Sequence, residues 1–133
     1  LKPQAVAFLG ESEMIVLAVH GAPRRERQSD YGSDVCRIAF DPTTGRAAIG
    51  ARRTFADTHF DACVLDEGRL LLTDQRNDCV KVLDPASLDV QADVLGYAFP
   101  HGIDVRFGWL AVSNYGANTI DLRRTDALGL PRR

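Results

Sequence analysis

The most constraining feature of this 133-residue sequence is an internal repeat with a period of forty residues. Residues 61–83 align with residues 101–123 without a gap, and most aligned pairs keep their chemical class although few are identical. In both segments an apolar run ends in a polar pair, at residues 70–74 and 110–114. A short unit of this kind cannot bury its own apolar face, so consecutive copies are expected to stack on one another.

A more divergent copy precedes these two. Residues 3–8 resemble the start of the later copies, and residues 14–19 form a continuous apolar run like the one that ends at residue 74. We therefore divide the chain into three units, at about residues 3–55, 56–98 and 99–133.

Each unit is expected to contain four short strands, and helical periodicity is nearly absent. The first and third strands alternate in polarity, the second is apolar on both faces, and a weak fourth strand follows at residues 46–52 and 90–96. This pattern predicts an all-β protein made of three four-stranded blades of a β-propeller. Known propellers have about four to eight blades, so these three would be half of a six-bladed ring completed by self-association, or part of a longer propeller. An open antiparallel sandwich is the alternative fold.

Composition limits the partners that the chain is expected to bind. The formal net charge is −2, which gives no electrostatic reason to expect a nucleic acid or an anionic membrane. No apolar run approaches the roughly 20 residues that span a bilayer. The three cysteines form no Cys-x-x-Cys pair and are interpreted as small buried apolar residues. Their positions are Cys36, Cys63 and Cys79.

A polar segment interrupts the first unit between its second and third strands. Residues 21–33 contain Pro23 and three arginines, and this composition predicts a surface loop. Such a loop could cover a binding site or contact a protein partner.

The sequence of residues 99–105, followed by residues 109–120, resembles the blade repeat of the NHL, YVTN and SMP-30/gluconolactonase group of propellers. The similarity extends over about residues 3–123. It implies the propeller architecture, whereas the group includes hydrolases, lyases and binding modules, so the activity is less well defined.

The resemblance also implies a metal site. In SMP-30-like lactonases an Asn at the start of the inner strand and an Asp at the end of the next strand are metal ligands. The matching positions here are Asp61, Asp74, His101 and Asn114. His101 stands where the family has Asn, Asn114 stands where it has Asp, and the catalytic Glu of the family has no counterpart. NHL-type amidating lyases bind zinc through histidines, so calcium or zinc is the expected ion.

Blade topology predicts where a site would lie. Neighbouring strands run in opposite directions, so the start of each first strand and the end of each second strand lie at the same end of the sheets. Asp61 and His101 begin first strands, and either could act as a general base. The other rim residues predicted at this end are Gln4, His20, His59 and Tyr115.

Two functional hypotheses follow. The first is a propeller module that binds a small molecule at this end and, with a divalent metal, hydrolyses a lactone or ester through Asp61 and His101. The alternative is a non-catalytic protein-interaction scaffold that uses the 21–33 loop. Structural roles are also open, because Asp74 and Asn114 could instead hold turns through their side chains, and Trp109 is expected in the core.

Overall fold

The computed structural model describes residues 2–21 and 31–130, which form three antiparallel β-sheets and thereby confirm the all-β class. The first sheet contains β1 (Lys2–Phe8), β2 (Glu13–His20), β3 (Gly32–Phe40) and β4 (Ala47–Ala56). The second sheet contains β5 (Phe60–Asp66), β6 (Arg69–Asp74), β7 (Cys79–Leu83) and β8 (Val90–Val94). The third sheet contains β9 (Pro100–Arg106), β10 (Trp109–Asn114) and β11 (Thr119–Arg124). Within each sheet the strands are hydrogen-bonded in chain order.

The third sheet differs from the prediction because its described part has three strands instead of four. After β11 the chain enters a 3₁₀ turn at Thr125–Ala127, in which the N–H of Leu128 donates to the carbonyl of Thr125. Gly129 then takes a positive φ of 68°. The fourth strand was expected at about residues 128–133, and residues 128–130 of that range are not in a strand, whereas residues 131–133 lie outside the described part of the chain.

The prediction of a surface loop at residues 21–33 is wrong at the C-terminal end of this range. Tyr31, Gly32 and Ser33 are buried, and β3 begins at Gly32. A Cβ atom at Gly32 would lie 2.5 Å from the carbonyl oxygen of Phe55, so this glycine permits a close approach of two strands. The rest of the predicted loop, apart from Gly21, lies outside the described residues.

The second sheet lies between the other two and packs against each of them. Its β6 strand is buried along its whole length because alternate residues face opposite neighbours. Leu70 and Leu72 face the first sheet, and Leu71 faces the third. The first-sheet side of one core is formed by Ile15, Leu17 and Val35. The third-sheet side of the other core is formed by Ile103, Val105, Leu110 and Val112.

Two hairpins forty residues apart have the same turn. Glu67 and Gly68 connect β5 to β6, Phe107 and Gly108 connect β9 to β10, and all four residues have positive φ. A two-residue turn with positive φ at both positions is type I′, which matches the right-handed twist of the flanking strands. The repeat therefore fixes hairpin geometry as well as apolar pattern.

Trp109 is not in the core, contrary to the prediction, and 42% of its surface is exposed. The second sheet covers the opposite face of the third sheet, and Trp109 contacts Arg124, whose guanidinium lies 5.3 Å from the ring centroid.

Within residues 2–21 and 31–130, no helix has the length and apolar character required to cross a lipid bilayer.

Candidate functional site

Asp61 and His101, which begin the first strands of two neighbouring sheets, meet across the contact between those sheets. Asp61 Oδ2 lies 2.8 Å from His101 Nδ1. A hydrogen bond to the Asp61 carboxylate requires a proton on Nδ1, whereas a hydrogen bond from the Gln75 amide nitrogen, 3.0 Å from the same atom, requires a lone pair there. In the tautomer that pairs with Asp61, the other ring nitrogen, Nε2, has the lone pair. Both side chains are partly exposed, which leaves the pair accessible from solvent.

A β-bulge places each residue of the pair. In the second sheet Asp61 and Ala62 both lie opposite Thr73, and in the third sheet His101 and Gly102 both lie opposite Ser113. A bulge bends its strand and turns a side chain away from the regular alternation, and such bulges are common beside active sites. Its recurrence after forty residues explains why the carboxylate and the imidazole project at the same end of adjacent sheets.

Aromatic rings and an amide surround His101. The ring centroids of Phe99 and Tyr115 lie 5.4 and 5.3 Å from that of His101, and 5.9 Å from each other. Gln75 Nε2 lies 3.0 Å from His101 Nδ1. Tyr115 is 72% exposed, so it offers the face or edge of its ring to solvent beside the imidazole. The arrangement is a polar pair bordered by an accessible aromatic surface.

The backbone of Phe99 adopts a φ of 49°, which is unfavourable for a bulky side chain. Two hydrogen bonds hold it there: its N–H donates to Asp78 Oδ1, and its carbonyl accepts from the N–H of Tyr115. Non-glycine residues in this region concentrate at functional sites, where the surrounding structure imposes the conformation. In this conformation the Phe99 ring lies next to His101.

His59 lies in the connection into β5 and is close enough to Asp61, Asp74 and His101 to interact with their charges. Burial lowers the pKa of His59, and this effect outweighs the opposing influence of the two carboxylates. His59 is therefore neutral at pH 7. The hydroxyl of Tyr31 is hydrogen-bonded to His59 Nδ1, which links the first sheet to the site.

Asp74 has a structural role in this fold. Its Oδ1 atom accepts hydrogen bonds from the backbone N–H groups of His59 and Arg76, and its Oδ2 atom accepts one from the Asn77 side chain. The residue is fully buried. Its carboxylate therefore holds the connection before β5 and the turn after β6.

Asn114 has the same role in the third sheet. Its Oδ1 atom accepts a hydrogen bond from the N–H of Ala98, and its amide nitrogen donates to Thr119 Oγ1 at 3.4 Å. Among the four expected metal ligands, the structure brings together only Asp61 and His101. The described residues contain no group of three or more His, Cys, Asp or Glu side chains arranged to hold a metal ion. The calcium or zinc ion stays a prediction based on the resemblance.

The two remaining predicted rim residues belong to the first sheet. Gln4 is exposed and lies at the bulge of β1, between the paired residues Pro3 and Ala5. His20 ends β2, and its Nε2 atom lies 3.5 Å from Oδ1 of the fully buried Asp34. This contact lies within the first sheet.

Sequence reasoning missed three contributors to the site. The composition of residues 21–33 predicts a loop at Tyr31, no sequence pattern singles out Gln75 although it directly follows Asp74, and Phe99 is part of the repeat. The recurring polar residue after β6 and β10, Gln75 and Tyr115, was a detectable signal, because both residues contact His101.

No protein-family model matches the chain, and a search of curated protein sequences found no match to it.

Proposed function

We propose that the three sheets are three consecutive blades of a β-propeller. The proposal is supported by the forty-residue repeat of strands, type I′ hairpins and bulges. It is also supported by the contacts of β5 with both β1 and β9, because the first strands of neighbouring blades lie side by side around a propeller axis. The end that carries Asp61 and His101 would then face the central opening.

We propose that this end binds a small molecule and hydrolyses an ester or lactone, with His101 as general base and Asp61 as its positioning residue. The observation that carries this proposal is the 2.8 Å contact between Asp61 Oδ2 and His101 Nδ1. A carboxylate on Nδ1 fixes the tautomer that leaves Nε2 free to accept a proton, and it stabilises the imidazolium formed during the reaction.

The chemical steps follow from this arrangement. His101 Nε2 takes a proton from a water molecule while the water oxygen forms a bond to the carbonyl carbon of the substrate. The carbon–oxygen bond to the leaving group then breaks, and the imidazolium gives its proton to the departing alkoxide. Positioned proton transfer of this kind accelerates a reaction by about 10²–10⁴-fold.

The neighbouring residues suggest how the substrate is held. Phe99 and Tyr115 offer aromatic surface on which an apolar or ring-shaped group can stack. In the tautomer in which Nδ1 accepts from the Tyr31 hydroxyl, neutral His59 carries its proton on Nε2 and could donate to developing negative charge.

The test is turnover of a panel of γ- and δ-lactones and p-nitrophenyl esters, with His101→Gln and Asp61→Asn as variants. We expect both variants to lower kcat/KM at least about 100-fold. His20→Gln is the matched control, because His20 lies at the same end but pairs with Asp34. The tautomer of His101, read by long-range ¹H–¹⁵N correlation, should show a protonated Nδ1 in the wild type and change in Asp61→Asn.

Equal turnover by the wild type and both variants would exclude His101 as the base. If no substrate turns over and no small molecule binds, the protein-interaction scaffold that uses residues 21–33 becomes the favoured function.

A further inference from the structure

The first and third sheets each have a large apolar surface on the side facing away from the second sheet. On the first sheet this surface, here called the leading face, consists of Val6, Phe8, Met14, Val16 and Ile49. On the third sheet the corresponding surface, here called the trailing face, has Trp109, Ala111, Ile120 and Leu122 as its apolar residues, and the charged Asp104 and Arg106 lie on its β9 side. Contiguous exposed apolar surface of this kind typically marks an interaction site.

The trailing face corresponds to a surface that is buried in the second sheet. Ile120 and Leu122 are 67% and 63% exposed, whereas Val80 and Val82, forty positions earlier, are completely buried against the third sheet. The trailing face is therefore the side of the repeat unit that packs on the following sheet.

The leading face corresponds to the opposite side of the unit. Phe8 pairs with Met14 in the first hairpin, as Leu65 pairs with Leu70 in the second. Leu65 and Leu70 belong to the core shared with the first sheet, whereas Phe8 is 67% exposed. The leading face is therefore the side of the unit that packs on a preceding sheet.

A hydrogen bond that recurs in the second and third sheets indicates how two sheets align when a trailing face packs on a leading face. Thr73 Oγ1 accepts from the N–H of Ala62 in its own sheet and donates to the carbonyl of His101 in the next sheet, at 2.7 Å. Ser113 Oγ accepts in the same way from the N–H of Gly102. Because Gln4 occupies the bulge position equivalent to His101, its carbonyl is the corresponding acceptor for Ser113 across a new contact.

We infer that the trailing face of one copy of this chain docks on the leading face of a second copy. The same kind of contact already forms twice within one chain, between the first and second sheets and between the second and third. A trailing face is therefore complementary to a leading face and not to another trailing face. Two such contacts between two copies, related by a two-fold axis, close a ring of six sheets. The ring places Gln4 of the second copy beside His101 and extends the site across the contact. This inference does not depend on the proposed hydrolysis.

The test is the mass of the purified chain in solution, measured by sedimentation equilibrium over a range of concentrations. We expect a dimer, and we expect Leu122→Glu and Val6→Glu each to raise its dissociation constant at least about 100-fold, because each buries carboxylates in an apolar contact. Leu95→Glu is the matched control, since Leu95 is 67% exposed and lies on neither face. This variant should dimerise like the wild type.

Mixing the two face variants separates this arrangement from a symmetric one. The trailing face of the Val6→Glu chain and the leading face of the Leu122→Glu chain are both intact, so the mixture should form a one-to-one complex through a single contact. All three variants must first show wild-type circular dichroism. A wild-type chain that stays monomeric, or a dimer that survives either face substitution, overturns the inference.

Discussion

Asp74 and Asn114 lie forty residues apart and make the same kind of hydrogen bond. Oδ1 of each accepts from a backbone N–H in the connection that leads into a first strand, at His59 and at Ala98 respectively. Each side chain thus joins the end of a second strand to the entry of its own sheet. The positions that suggested metal ligands in the sequence serve here to hold the loops on which the Asp61–His101 pair depends.

Asp74→Ala is expected to lower the free energy of unfolding by about 2–4 kcal/mol, because it leaves three donors at a buried position without their acceptor. Urea denaturation followed by circular dichroism measures the change. Asp126→Ala is the control, because Asp126 is exposed and its carboxylate makes only a surface ion pair, with Oδ2 3.5 Å from the guanidinium of Arg124. If Asp74 served mainly as a metal ligand, EDTA would destabilise the wild type by as much as the substitution does.

His59 predicts a loss of stability on mild acidification. Burial lowers its pKa below that of the unfolded chain, about 6.5, so the unfolded state binds the proton more readily. The stability associated with neutral His59 is fully present above pH 6.5 and is lost as the pH falls through the lower folded pKa. Urea midpoints between pH 8 and pH 5 should show this decline in the wild type and a weaker one in His59→Gln. An identical slope in both proteins would contradict the prediction.

Phe107→Asn is expected to stabilise the protein by about 0.5–1 kcal/mol. Phe107 has a φ of 54° in a type I′ turn and is 94% exposed, so the replacement relieves backbone strain and removes little packing. Phe107→Val should have the opposite effect, because a β-branched residue is poorly tolerated at positive φ. Thermal unfolding of the two variants checks both directions, and an equal change in both would exclude backbone strain as the cause.

The three cysteines are expected to resist thiol reagents in the folded protein. They are free, and burial raises the pKa of Cys63 and of Cys79 to about 11, so roughly one thiol in a thousand is ionised at pH 8. Burial also raises the pKa of Cys36. DTNB should therefore label the native chain slowly and all three cysteines rapidly in denaturant. Rapid labelling of the native chain would show that these strands open readily.

The apolar pattern predicted much of the secondary structure because it depends on local alternation. The second strands at β2, β6 and β10 and the fourth strands at β4 and β8 are all present. The loop prediction failed at Gly32 because a glycine is compatible with two structures. It is common in loops, but here its missing side chain allows two strands to approach closely.

The sequence by itself determined the repeat, the all-β class and the end of each strand at which polar residues gather, since all of these depend on residue spacing along one chain. Only the tertiary structure decided which polar residues meet. Asp61 reaches His101 because two bulged strands from different sheets lie side by side, whereas Asp74 turns to the backbone of its own sheet. Likewise, Tyr31 bonds to His59 only because the first and second sheets pack together. Contacts between sheets depend on packing over long sequence separations, which the local pattern does not specify.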